Sequence, residues 1–423
     1  MATDGSTSPR ESGEPAALRR ISEVLDEVSA QFASRGALGV LLLDASSFRE
    51  IERIYGFEAY RVALGRLASL LHDVEGERLG EWDQIVRGET GRSELLLILV
   101  RDREDSKFCA QGLAETYQRV RSALERYGGR ITYPYLKAAP PVHVGIAITL
   151  HNHLGELEEQ IRLVLEEART DAELNRTLAA RERRRRFTEF VMAGDVYCVY
   201  EPIVEVATTT VHGYEALARG SGHPEFHMPM AMFGAAEEEG LIFQLDCLCR
   251  RKALEGARGR VAGTKLFLNI RPTTVRDPSF RAEALSQTLE QNGLCPSDLV
   301  LEISEQESID NFSIFREVRD YYRKLGFQIA LDDTGSGYGS LQSVIELSPD
   351  YIKVDRALIH GIDEDPGRQA LLRALNAVAG QIRARIIAEG LDTLEELSML
   401  SELGIPFGQG WLFGKPTRLR AED

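Results

Sequence analysis

The sequence predicts an α/β protein in two parts, an N-terminal α/β domain followed by a C-terminal (β/α)8, TIM-like barrel. Three observations carry the prediction. The chain has 423 residues, room for two to three domains at roughly 150 residues each. After about residue 195, eight short apolar runs alternate with amphipathic helical segments, the pattern of βα units in a largely parallel sheet. Most of those runs also contain or end in a polar group that a buried strand should avoid.

Residues 1–15, MATDGSTSPRESGEP, are small and polar with nothing to bury, and are expected to form a disordered tail. Leu18, Ile21, Leu25, Val28 and Phe32 recur every three or four residues, which predicts a lead-in helix. Apolar runs at 38–44, 94–100 and 142–149, with helical segments between them, make an α/β domain over 16–175. A helical connector follows at 176–190 and carries RERRRR at 181–186, a basic run expected to be a solvated helix face. The barrel takes 191–423, with strands expected at 196–204, 213–219, 265–270, 299–304, 328–333, 351–355, 385–390 and 407–413.

Composition bounds the function. Acidic residues exceed basic ones, for a formal charge of −16, which disfavours a protein that coats nucleic acid or an anionic membrane. No stretch reaches the apolar length of a membrane helix, and the N-terminus lacks an apolar signal core, so the expected location is the cytoplasm. The five cysteines are scattered without zinc-site spacing and are expected to be reduced thiols.

Within the barrel runs stand Glu215, Asn269, Glu302, Asp332, Asp333, Lys353, Glu389 and Gln409. A parallel barrel gathers its C-terminal strand ends on one face, so these distant residues would converge. Carboxylates packed together repel and raise one another's pKa, and burying them needs a compensating cation. All the candidate ligands offer oxygen, which suits Mg2+ or Mn2+ rather than zinc. In the adjacent pair Asp332 and Asp333, one residue can bridge two ions while the other binds only the second. Two such ions can clamp a phosphodiester and activate water, so the reaction class is metal-assisted phosphodiester hydrolysis. Alone, Asp332-Asp333 could cap a turn, Lys353 could be a surface lysine, Glu302 could pair with an arginine, and Gln409 could be a loop residue.

The strings YEALAR, FLNIRP, LEISEQE, IALDDTGSGYGSL, PDYIKVDR, IIAEGLDT and GQGWLFGKP, in this order over about 190–418, closely resemble the EAL-domain phosphodiesterases that hydrolyse cyclic di-GMP. The resemblance implies that Glu215, Asn269, Glu302 and Asp332 ligate one metal, and that Asp332 and Asp333 ligate the other. It implies that Glu389 sits near the second ion as a candidate general base, and that Lys353 orients or helps activate the attacking water. A lysine held among carboxylates stays protonated, which favours electrostatic positioning. By the same resemblance Arg219 contacts a substrate phosphate, Gln409 is a site glutamine, and Glu305 braces the loop after Asp333. A homodimer is implied as well. Thr334, Glu201 and Asp392 depart from the family's usual Phe, Gln and Glu. Effector members that bind cyclic di-GMP without cutting it usually lack several metal ligands, whereas this chain retains the full set.

The first domain resembles a degenerate GGDEF, or diguanylate cyclase, domain. LLLDASSFREIERIYGFEAYRVAL (41–64) and VHVGIAIT follow that family's strands, and Asp44 keeps its first acidic position. The signature turn is GRSEL at 91–95, where Arg92 replaces a glycine and Ser93 an acidic residue. No cyclase activity is expected, a regulatory or dimerisation role is, and GTP binding is left open.

Overall fold

The computed structural model describes residues 18–136, 140–304, 312–334 and 340–419. The expected tail and Glu305 lie outside them. The chain divides into two compact units, Met1–Arg183 and Arg184–Asp423. One helix, Leu157–Ala193, runs through the boundary.

The first unit is built on a four-stranded antiparallel sheet of β1 (Gly36–Asp44), β2 (Gln84–Arg87), β3 (Glu94–Asp102) and β4 (His143–Leu150), in the order β2-β3-β1-β4. Both faces are covered. Along β1, Leu41 and Leu43 join one apolar cluster while Leu38, Val40 and Leu42 join another, the two-residue alternation of a pleated strand. The first cluster contains Ala63, Leu67 and Leu71 of helix Phe57–Glu75 and Val120 of helix Leu113–Thr132. The second contains Val24, Val28 and Phe32 of helix Ile21–Arg35, and Ile161, Val164 and Ala168 of the long helix. Helix and sheet approach closely at Gly145, where a Cβ would lie 2.0 Å from the Ala168 carbonyl oxygen. The sequence did not predict β2, a four-residue strand at the sheet edge whose single fully buried side chain, Val86, makes no recognisable period.

The second unit is a closed eight-stranded barrel of β5 (Val196–Glu205), β6 (Val211–Gly220), β7 (Lys265–Asn269), β8 (Leu299–Ser304), β9 (Gln328–Thr334), β10 (Tyr351–Val354), β11 (Arg385–Ala388) and β12 (Phe407–Gln409). It departs from the expected all-βα pattern at its first strand. β5 pairs antiparallel with both β6 and β12. Residues 206–210 between β5 and β6 are too few for the crossover that a parallel pair requires.

The barrel interior is layered, as side chains alternate between the lumen and the surrounding helices. Leu266, Leu301, Ile329, Leu331, Ile352, Val354 and Ile386 point outward into the main core. Ile203, Phe267, Val300, Ala330, Tyr351, Ile387 and Phe407 form a separate buried cluster, a floor across the lumen. Burial of one such side chain stabilises by about 1.5–3 kcal/mol, so this floor is a substantial part of the barrel's core. On β7 to β12 the residue two positions after each floor residue is polar: Asn269, Glu302, Asp332, Lys353, Glu389 and Gln409. On the reversed strand β5 the polar residue, Glu201, comes two positions before its floor residue Ile203.

Candidate active site

The layer above the floor is therefore a ring of polar side chains from every strand, and strand register sets its geometry. Glu201 stands opposite Glu215, and Asn269 opposite Glu302. Lys353 rises at the centre with only 1% of its surface exposed. Its Nζ lies 3.1 Å from Glu215 Oε2, 2.9 Å from Glu302 Oε1, 3.1 Å from Asp332 Oδ1 and 2.8 Å from Glu389 Oε1. An ammonium has three N–H bonds and here faces four carboxylates, so it cannot satisfy them all. Glu302 Oε1 and Asp332 Oδ1 are buried without a well-formed hydrogen bond among the described residues.

The amides complete the ring. Gln409 Nε2 donates to Glu215 Oε2 at 2.7 Å and to Glu201 Oε2 at 3.2 Å. Asn269 Nδ2 donates to Glu302 Oε2 at 3.1 Å and to Glu215 Oε1 at 3.3 Å. Arg219 shares the lumen-facing alternation of β6 with Glu215, two residues apart twice over, and its Nη1 donates to the Ala218 carbonyl.

Charge crowding shows in the acidities. Burial, with the Glu215 charge beside it, pushes the Glu302 carboxyl well above its ordinary value. Burial pushes Glu389 up to about 8, the Lys353 charge opposing and that of Asp332 adding. Burial and the neighbouring Asp332 raise Asp333, and burial raises Glu201 against the hydrogen bond from Gln409. Glu215 goes the other way: burial would raise it, but Lys353, Gln409 and Asn269 together hold it below the usual carboxylate range. Burial works against the Lys353 ammonium, yet the surrounding carboxylates raise its pKa well above normal. The surrounding negative charge therefore favours the ammonium form of Lys353.

This donor set fits divalent cations. Oxygens of Glu215, Glu302 and Asp332 form one compact group, those of Asp332, Asp333 and Glu389 form another, and within each group the atoms lie within 4.8 Å of one another. Asp332 belongs to both. The donors are all oxygen, the preference of Mg2+ and Mn2+. For Asn269 to offer its carbonyl oxygen, the amide must turn over, since its nitrogen now faces the carboxylates.

A cavity of about 310 Å³ opens over this ring, lined by Glu215, Asp332, Asp333, Lys353 and Glu389 and also by Arg356, Asp392 and Trp411. Arg356 and Trp411 carried no role in the sequence reading. Arg356 pairs with Asp392 at 2.7 Å. Asp355, equally unassigned, adds a negative charge beside Asp333 and caps the helix after β10 through Ala357 N. A large aromatic directly after the glycine pair of GQGW was the available signal for Trp411. Thr334, one of the departures, ends β9 buried, with its hydroxyl lacking a hydrogen-bond partner among the described residues.

The family model described as EAL domain matches residues 184–416. The chain belongs to the EAL-domain family. This EAL protein is 32% identical over 228 residues to the cyclic di-GMP phosphodiesterase NbdA of Pseudomonas aeruginosa, covering 52% of this chain and 29% of that protein. It is 33% identical over 213 residues to the cyclic di-GMP phosphodiesterase PdeR of Escherichia coli, covering 49% and 32%. An uncharacterized protein of Sinorhizobium fredii, y4lL, is 26% identical over 418 residues, 94% of this chain and 48% of that one. The chain thus spans less than half the length of these curated relatives. Among solved structures, the PaMucR phosphodiesterase in complex with c-di-GMP superposes with a TM-score of 0.50 at 25% identity, covering 56% of this chain and 98% of that one. The EAL enzyme Bd1971 superposes with a TM-score of 0.51 at 23% identity over 65% of this chain and 78% of that one, a likeness of fold. No helix among the described residues is long and apolar enough to cross a membrane.

Proposed function

We propose that this chain hydrolyses cyclic di-GMP to linear pGpG, with two divalent cations, Mg2+ or Mn2+, held at the barrel rim. The observation that carries the reading is that Asp332 belongs to two compact groups of carboxylate oxygens at once. Glu215, Asn269, Glu302 and Asp332 would hold one cation, and Asp332 with Asp333 the other, beside Glu389. When bound, such a pair supplies charge neutralisation for the phosphodiester and lowers the pKa of water.

The side chains around the cations have separable tasks. Arg219 is assigned to a phosphate oxygen of the substrate, and Glu389 to taking a proton from the attacking water. Lys353 positions that water and offsets part of the surrounding negative charge. Gln409, bonded to both Glu201 and Glu215, holds the Glu215 carboxylate in place. Water adds to phosphorus, the bond from phosphorus to a 3′ oxygen breaks, and that oxygen leaves with a proton, so the product keeps a 5′ phosphate. Glu305 is assigned the bracing of the loop after Asp333 by family resemblance alone.

The first unit is proposed to regulate or dimerise the protein without making cyclic di-GMP. In support, Glu94 of its GRSEL turn is engaged by Arg169 at 2.7 and 3.0 Å, and Arg49 donates to Ser93 at 3.0 Å. A GTP titration of hydrolysis shows whether this unit binds the nucleotide.

The test is incubation of the purified protein with cyclic di-GMP and either metal. Formation of pGpG is expected, and Glu215→Ala is expected to abolish it while circular dichroism stays unchanged. Binding without turnover under both metals would instead make the protein a non-hydrolytic effector, and undiminished turnover in Glu215→Ala would refute the ligand assignment.

A further inference from the structure

We propose that the exposed stripe of the long helix Leu157–Ala193 centred on Leu174 pairs with the same stripe of a second copy of this chain, the two helices running antiparallel. The pairing stands apart from the hydrolytic reading and gives a surface to the dimerising role proposed for the first unit. At about 100° per residue, Leu163, Glu167, Leu174, Leu178 and Arg181 fall within a stripe about 60° wide. All five belong to the first unit. Ile161, Val164, Ala168 and Ala172, which join the apolar cluster of that unit's sheet, lie on the opposite side of the helix.

That stripe leaves three leucines in water: Leu163, Leu174 and Leu178 are 54%, 57% and 60% exposed. A second apolar surface laid on them would remove that area from water. The stripe also carries two charges that the chain itself does not answer. Glu167 and Arg181 are exposed, and among the described residues neither has an ion pair or a side-chain hydrogen bond. Neighbouring charges on the same helix are answered within the chain: Arg162 pairs with Glu159, Arg176 with Glu173 at 3.0 Å, and Arg169 with Glu94 at 2.7 Å.

Glu167 and Arg181 lie seven residues to either side of Leu174. A two-fold axis at Leu174 relates position 167 of one helix to position 181 of the other, so an antiparallel pair brings Leu174 onto Leu174 and each Glu167 beside an Arg181. A parallel pair in register would set Glu167 against Glu167 and Arg181 against Arg181, and like charges repel. The helix as a whole has the same polarity. Residues 157–175 hold six acidic and two basic side chains, and 176–193 hold two acidic and six basic. An antiparallel partner lays the acidic half on the basic half, whereas a parallel one lays like on like.

Sedimentation velocity of the full chain over a range of concentrations is the test. The parent is expected to dimerise, less tightly at high salt, and Leu174→Glu to weaken association by roughly tenfold or more with circular dichroism unchanged. Glu167→Arg and Arg181→Glu are each expected to weaken it roughly fivefold, because each sets like charges together at two places in the dimer. The double swap E167R/R181E restores opposite charges and is expected to recover to within about twofold of the parent. A parent that stays monomeric would overturn the pairing and the dimerising role together. A dimer as tight in L174E as in the parent would overturn the helix surface alone, leaving dimerisation to another face. A double swap no tighter than the single variants would overturn the antiparallel register.

Discussion

Lys353 is a buried charge that balances several others at once. Its ammonium is buried and sits within 3.1 Å of oxygens from Glu215, Glu302, Asp332 and Glu389. Burying a charge is costly, and leaving several like charges buried after a shared counter-ion is removed is costlier. Lys353→Met is therefore expected to lower unfolding free energy by about 3 kcal/mol in metal-free buffer. Mg2+ should restore part of that loss, because a cation bound to the folded state replaces the missing charge. Chemical denaturation with EDTA and with Mg2+ measures both, and a variant as stable as the parent without metal would show that the carboxylates are already protonated.

At the level of elements, the helix Leu394–Glu402 after β11 is held by a reciprocal cap. Thr393 Oγ1 accepts from Glu396 N at 3.2 Å, and Glu396 Oε2 accepts from Thr393 N at 3.2 Å and Asp392 N at 2.9 Å. Its other oxygen accepts from Gly361 N at 2.9 Å. Burial would raise the Glu396 pKa, but these amide donors together hold it below the ordinary value of 4.5. A depressed native pKa stabilises the fold above the unfolded-state value and ceases to do so as pH falls through the native one. Glu396→Gln is expected to cost about 1 kcal/mol at pH 7. That difference should shrink as the pH falls below the unfolded-state value of roughly 4.3, and vanish only below the native one, where the carboxylate is protonated in both states. Urea denaturation at pH 7 and pH 3.5 checks the sign; a deficit that grows at low pH would contradict it.

Across the whole molecule, the two units have separate apolar cores, and the acidic ring lies entirely in the second. A ligand that binds one folded unit stabilises that unit by mass action. In a thermal scan, Mg2+ or Mn2+ is expected to raise the transition of the barrel and leave that of the first unit where it is. Differential scanning calorimetry with and without metal distinguishes them, and an equal shift of both transitions would show that the units unfold together.

Local pattern was enough to locate the barrel strands and their polar residues. On β7 to β12 an apolar floor residue is followed two positions later by Asn269, Glu302, Asp332, Lys353, Glu389 or Gln409, and the pleat repeats every two residues wherever the strand lies. That rule is written within a few neighbouring residues, so it survives in the sequence alone. The direction of β5, the meeting of four carboxylates on one ammonium, the edge strand Gln84–Arg87 and the place of Trp411 and Arg356 beside the ring were decided only by tertiary structure. Each depends on closing the sheet between residues far apart in the chain, and such contacts leave no period for a local reading to detect.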